Sequence, residues 1–290
     1  MGAATKHKKA FLLKHPYCAF CGGVALATTV EHCPPRSLFQ DRQWPEGFEF
    51  PCCEACNHGT SNEDLLIAML GRLDPFTELG DRDGRQNGLM HAVSKQFPDL
   101  FPKLIPSSAR EARSRNRKLG IKPAPGRTHL ETPVLSVPAE FHVAICTFGR
   151  KLAKAIFYRD SLTIFPSNGC LFLNWFSNEQ LMLTGKYQML ELMREVNGVA
   201  PQLARSGRLL NDQFSFKLSM SPQKDTLALQ VVLGKSLGFV VFGSTRPGAF
   251  ESSYERLHHE HGKGPFAVIA SSVLQVQPDF GFSEHQIKPA

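Results

Sequence analysis

The chain has no long hydrophobic run. Its longest uninterrupted apolar stretch, Leu65–Leu70, is six residues, whereas a membrane-spanning helix needs roughly 18 or more. At the N-terminus Lys6, Lys8 and Lys9 are followed by only four apolar residues, Ala10–Leu13, before Lys14, too few for the apolar centre of a secretory signal. A myristoylation pattern would need Ser or Thr where Lys6 stands. These absences predict a cytoplasmic protein with no membrane partner. Also missing are a phosphate-cradling P-loop, a Gly-rich dinucleotide turn and a Gly-x-Ser-x-Gly nucleophile elbow, which removes the enzyme classes built on them. At 42% hydrophobic and 20% charged residues, the composition excludes a disordered or collagen-like chain.

Two scarcities are local. Cysteine nearly vanishes after residue 56: of eight, Cys18, Cys21, Cys33, Cys52, Cys53 and Cys56 come early, and only Cys146 and Cys170 follow. Acid is scarce between Lys103 and Arg127, where eight basic residues meet a single acid, Glu111, an excess equal to the whole net charge of +7.

A length of 290 residues suits about two domains, and texture divides the chain in three. Residues 1–75 carry the cysteines and end in a helix, with Ser61 as its expected N-cap, Asp64 three residues on, the apolar run from Leu65, and Pro75 beyond. Residues 76–137 form a basic connector with helical patterns over about 85–97 and from the Ser108–Glu111 capping box to near Gly120. Residues 138–290 form a second domain. It opens on an amphipathic helix, because Phe141, Ile145, Phe148, Leu152 and Ile156 share one face. The period then changes to two: residues 214–220, 226–233 and 238–243 read as an antiparallel meander, with a helix near 186–196 and a last strand near 266–276. The expected class is α+β.

Cys18-Ala-Phe-Cys21 and Cys53-Glu-Ala-Cys56 are two Cys-x-x-Cys knuckles. Each tight turn offers two sulfurs, and together the four close a tetrahedron around structural Zn²⁺. Gly22 and Gly23 suit the first turn. Disulfides are disfavoured in the cytosol, and a redox Cys-x-x-Cys needs no second copy. Cys52 competes with Cys53 but breaks the spacing, and Cys33 reads as a small buried residue.

Between the knuckles lies Glu31-His32-Cys33-Pro34-Pro35-Arg36, and Asn57-His58 follows the second. Glu31 and Asn57 are oxygen ligands of the kind hard Mg²⁺ prefers, and His32 is a candidate base for water. Neighbours on a strand point opposite ways, but a twisted hairpin end imposed by Pro34 and Pro35 would bring Glu31 and His32 to one site. The other reading is an exposed Glu and a His that buttresses the zinc fold. Spacing alone does not choose between them.

In its order of Cys-x-x-Cys, acidic-His and Cys-x-x-Cys-Asn, the segment from about 15 to 70 resembles the HNH, or His-metal-finger, endonucleases. It is most similar to the zinc-clamped endonuclease VII type and to bacterial HNH proteins with Glu-His-x-Pro-Pro, Pro-x-Cys-x-x-Cys-Asn (here 51–57) and Ser-x-x-Glu or Asp (here Ser61 and Asp64). The resemblance implies a ββα-metal fold in which Glu31 and Asn57 bind catalytic Mg²⁺ or Mn²⁺, His32 activates water, and zinc on Cys18, Cys21, Cys53 and Cys56 holds hairpin to helix. The chain departs from the pattern in having no Asn between His32 and Cys53, where Gln40, Asp41 and Gln43 are the substitutes. His58 and Arg36 are candidate auxiliaries for metal or phosphate, with an ordinary surface arginine the alternative for Arg36.

On the helix expected at 109–119, Arg110, Arg113 and Arg117 share a face flanked by Arg115 and Lys118. Such a strip neutralises nucleic-acid phosphates without sequence choice; a solvated charged helix is the plain alternative. His258-His259-Glu260-His261 reads as a polar loop, and the 22 phenylalanines read mostly as core. The expectation is thus a metal-dependent endonuclease acting on nucleic acid, DNA foremost. Its C-terminal domain would target or regulate it through a protein partner or ligand, with anti-phage defence as one setting. The rivals are a non-catalytic zinc-ribbon module binding nucleic acid or protein, and a ligand-gated sensor.

Overall fold

The computed structural model describes residues 3–73, 83–118, 120, 122–123, 125–131, 138, 141–177, 196–250 and 267–270. The helix expected near 186–196 and the loop at 258–261 lie outside them. The fold is α+β, with every strand pairing described antiparallel.

Helix α1 (Ala3–Lys14) leads into the first knuckle. Strand β1 (Thr29–His32) pairs with β2 (Glu49–Cys52), placing His32 opposite Glu49. The link between them makes 3₁₀ turns at Arg36–Leu38 and Gln40–Arg42. Helices α2 (Glu54–His58) and α3 (Ser61–Gly71) follow, then α4 (Gln86–Gln96), α5 (Leu100–Leu104) and α6 (Ala109–Lys118). The cap of α3 differs from expectation: Thr60 is the N-cap and Ser61 the first helical residue, its Oγ donating to the His58 carbonyl. Asp64 is drawn away to a lysine described below. At α6 the Ser108 Oγ accepts from the Glu111 N–H as a capping box requires, but the Glu111 carboxylate returns to Ser107.

Helix α7 (His142–Ser161) buries Ile145, Phe148, Leu152 and Ile156 as the periodicity predicts. It packs on β3 (Cys170–Ser177), and a Cβ on Gly149 would come within 2.5 Å of Leu173. The short hairpin β4 (Ala204–Arg205) and β5 (Arg208–Leu209) precedes the meander β6 (Phe214–Met220), β7 (Thr226–Leu233) and β8 (Leu237–Ser244). With β9 (Ala267–Ala270) the larger sheet runs β6-β7-β8-β3-β9. Alternation of burial over residues 214–219 of β6 and along the whole of β7 explains why these strands are legible. Strand β3 is not, because both of its faces are buried and its apolar run has no period.

One cluster of buried side chains crosses the expected boundaries at 75 and 138. Buried side chains from Cys18–Leu70 and from Phe141–Val241 belong to one cluster. Phe48 of the β1–β2 link meets Phe214 of β6 edge to face at 5.3 Å. On its other side α7 packs against α3 and carries two buried lysines, Lys151 and Lys154, into the cysteine-bearing segment. Covered on both sides, α7 buries residues around most of its circumference and joins the two parts.

Candidate functional site

The two knuckles converge. Each of Cys18, Cys21, Cys53 and Cys56 offers a sulfur within 4.8 Å of the other three, close to the roughly 3.8 Å edge of a tetrahedron with metal–sulfur bonds of about 2.3 Å. All eight cysteines are free of disulfides. Gly22 and Gly23 turn the chain with φ of +75° and +77°, and a Cβ on Gly22 would lie 2.5 Å from the Ser167 nitrogen. Backbone N–H groups of Phe20 and Ala25 donate to the sulfurs of Cys18 and Cys21.

The electrostatics suit a bound cation. Hydrogen bonds from Cys52 and Cys56 hold the Cys18 thiol far below its usual range, while Cys56 is pushed far up by its bond to Cys18 and by burial, and Cys21 is pushed up by burial. Four sulfurs at this spacing ionise together only with a metal among them, so the donor set fits a thiophilic ion. Around it lie two cations of α7. Lys154 Nζ donates to the Phe20 carbonyl inside the first knuckle at 2.8 Å, and burial, then Arg150, lower its pKa to about 8 against the opposing pull of Cys56, Cys21 and Cys18. Burial also lowers Arg150, countered by Cys56. Cys52 is fully buried beside Cys18 and Cys56, and Cys33 is fully buried beside Lys151, Asp64 and Glu31.

Glu31 and His32 go to different places. Strand alternation prevails over the expected twist at Pro34–Pro35. Glu31 faces inward, where Lys151 Nζ donates to Glu31 Oε1 at 2.6 Å, Asp64 Oδ2 at 2.6 Å and Thr60 Oγ1 at 2.9 Å. Asn57 Nδ2 donates to Thr29 Oγ1 at 3.3 Å, on the same side of the strand as Glu31. Of the pair assigned to catalytic Mg²⁺, Glu31 does not fit that ion as placed, because its carboxylate is taken by an ammonium, whereas the Thr29 contact engages the nitrogen of the Asn57 amide and not the oxygen that would bind a metal. His58 is exposed, with Nε2 3.8 Å from Glu54.

His32 instead stands in an outer pocket. Its Nε2 is 3.7 Å from Glu49 Oε1, and its ring meets Trp44 edge to face at 4.5 Å. Arg36 lies over Trp44 at 5.1 Å and Arg205 at 3.7 Å, the latter also donating to the Trp44 carbonyl at 3.0 Å. Burial first, then Arg36, Arg205 and Arg42, lower the His32 pKa to about 4, so the imidazole is neutral at physiological pH. Its side chain keeps 23% exposure, enough for water to reach it. Among the described residues, Arg36, Arg42 and Arg205 have no carboxylate partner. Trp44 Nε1 is buried without an acceptor.

Two features shape this pocket. Asp41 and Arg42 hold left-handed φ of 53° and 57°, a conformation costly for non-glycine residues and frequent where a site imposes it. The turn of the β4–β5 hairpin also docks on the loop: Glu46 N donates to the Ala204 carbonyl at 3.0 Å and Arg208 reaches Asp41 at 3.5 Å. Of the substitutes for the missing Asn, Gln40 and Asp41 turn toward Arg208, and Gln43 is exposed; the carboxylate beside His32 is Glu49.

On α6, Arg110, Arg113, Arg117 and Lys118 are exposed. Arg115 leaves the strip, because it donates to the carbonyls of Leu104 and Lys103 and pairs with Glu111 at 2.6 Å. Sequence reasoning missed Glu49, Trp44, Arg42, Arg205, Lys151 and Lys154. Strand alternation held one clue, since it separates Glu31 from His32. Arg150, Lys151 and Lys154 in a largely apolar, acid-free stretch at 142–158 held another.

No described helix is long and apolar enough to cross a membrane. Comparison with protein-family models, with curated proteins and with solved structures found no match to the chain.

Proposed function

We propose that this protein is an endonuclease of the His-metal-finger kind that hydrolyses phosphodiester bonds of nucleic acid, DNA foremost. One observation carries the reading: a neutral, water-accessible His32 sits among three arginines that have no carboxylate partner among the described residues. A neutral imidazole accepts the proton of an attacking water. Arg36, Arg42 and Arg205 bind the phosphate and stabilise the charge that grows on it.

Zinc on Cys18, Cys21, Cys53 and Cys56 holds the first knuckle to the start of α2, so that β1 presents His32 at a fixed angle. No step passes through a metal at Glu31 and Asn57. The exposed face of α6, Arg110, Arg113, Arg117 and Lys118, gives backbone affinity outside the cutting site. By supplying Arg205, the C-terminal part completes the pocket.

The test is incubation of the full chain with plasmid, single-stranded DNA and RNA, with Mg²⁺, Mn²⁺ or EDTA, beside His32→Ala and Arg205→Ala. Cutting that falls at least about 100-fold in His32→Ala is the expected result. Equal inertness of wild type and variants on every substrate would instead favour the zinc-ribbon binding module, a reading supported by the engagement of Glu31 with Lys151.

A further inference from the structure

The inward face of β1 carries a second arrangement that the proposed hydrolysis does not use. Lys151 is 4% exposed, and its three N–H groups are taken by three oxygens from two segments: Glu31 on β1, and Thr60 at the start of α3 with Asp64 within it. The distances of 2.6, 2.6 and 2.9 Å are those of charge-assisted hydrogen bonds. Two carboxylates face one ammonium, so the cage carries one negative charge more than its cation neutralises. The excess has an address: Asp64 Oδ1 is buried and receives no hydrogen bond. A lysine has no fourth donor to give it.

We propose that the Lys151 ammonium is the resident cation of an oxygen cage suited to a hard divalent ion, and that removing it opens a Mg²⁺ or Mn²⁺ site on Glu31, Asp64 and Thr60. Carboxylate and hydroxyl oxygens are the donors such ions select. A divalent ion would balance both carboxylates, engage the idle Asp64 oxygen, and complete its coordination with water in the volume the lysine stem leaves. In the native chain the ammonium excludes that ion, because both would occupy the same point between the same oxygens. Burial lowers the Lys151 pKa, but Asp64, Cys33 and Glu31 together raise it above its ordinary value, so the lysine does not vacate the cage by losing its proton. Lys151 is thus a positioning residue: it fastens β1 and α3 to α7 without a dissociable ion. This holds whether or not His32 cleaves nucleic acid, since it concerns only what Glu31 and Asp64 bind.

The probe is Mn²⁺ alone, followed by electron paramagnetic resonance on zinc-replete, full-length protein. Wild type and Glu31→Gln are expected to bind Mn²⁺ equally weakly. Lys151→Ala is expected to bind about one Mn²⁺ per chain at least about tenfold more tightly, to gain thermal stability when Mn²⁺ is added, and to lose both effects on adding Glu31→Gln. Mn²⁺ binding by wild type that Glu31→Gln abolishes would overturn the proposal, as would Lys151→Ala binding Mn²⁺ no better than wild type. If Lys151→Ala does not fold even with Mn²⁺, the wild-type and Glu31→Gln comparison decides.

Discussion

His32 faces Glu49 across the hairpin, with Nε2 3.7 Å from Oε1, while Glu31, its neighbour in the chain, points through the strand to Lys151. The hairpin therefore has an outer, basic side around the imidazole and an inner side closed by an ion-pair cage. Each side makes its own predictions.

The outer side sets a pH dependence. His32 has its pKa lowered from 6.5 to about 4 in the fold, so the unfolded chain binds this proton more tightly. Its contribution to stability is complete above about 6.5 and is lost as pH falls toward about 4. Asp64 is shifted the other way, from 3.8 to about 6, chiefly by burial, so its contribution is complete below about 3.8 and is lost as pH rises through about 6. Urea denaturation between pH 4 and 7 should show His32→Gln flattening the rise of stability with pH and Asp64→Asn flattening the fall.

After burial, the largest cause, the arginines lower the His32 pKa in a definite order. Arg36→Gln should raise the His32 pKa the most, Arg205→Gln less and Arg42→Gln least, following their order of effect. Imidazole titration by NMR reads each value. No change on removing Arg205 would mean that the β4–β5 hairpin stands away from the pocket in solution.

The thiolate cluster should bind about one zinc per chain. Cys18→Ser with Cys56→Ser should lose it together with the folding of the surrounding turns, whereas Cys33→Ala should retain it. Lys154→Met should leave the ion in place but speed its loss to a chelator by about 10–100-fold, because the cation next to the sulfurs is gone. Metal analysis and chelator kinetics measure both effects.

Phe48 and Phe214 join the parts that lie on either side of the basic helices. Phe48→Ala should cost about 3–5 kcal/mol and lower a single unfolding transition followed by both circular dichroism and tryptophan fluorescence. Two separated transitions would mean two independent cores.

On α6, each of Arg110→Gln, Arg113→Gln and Arg117→Gln should weaken DNA binding alike on all sequences and reduce the salt slope by about 1. Arg115→Gln should instead lower stability, since its guanidinium clips α6 to the end of α5. Fluorescence anisotropy at several salt concentrations separates the two.

Much of the local structure was legible from spacing. The periods of α7, β6 and β7 were readable because one face of each is apolar at a fixed interval. The packing across the expected boundaries was not, because composition changes along the chain while Phe48, α3 and α7 share one core across that change.

By itself the sequence determined the four-cysteine cluster, since a Cys-x-x-Cys turn carries its geometry within four residues, and it placed His32 on a strand beside that cluster. Tertiary structure alone decided which charges meet. Glu31 found its cation 120 positions away in Lys151, and Arg205 reached Trp44 from 161 positions along the chain. The reason is physical: strand alternation says that neighbours face apart, but only the packing of α7 on one side and the β4–β5 hairpin on the other decides which face is buried with a lysine and which is ringed by arginines.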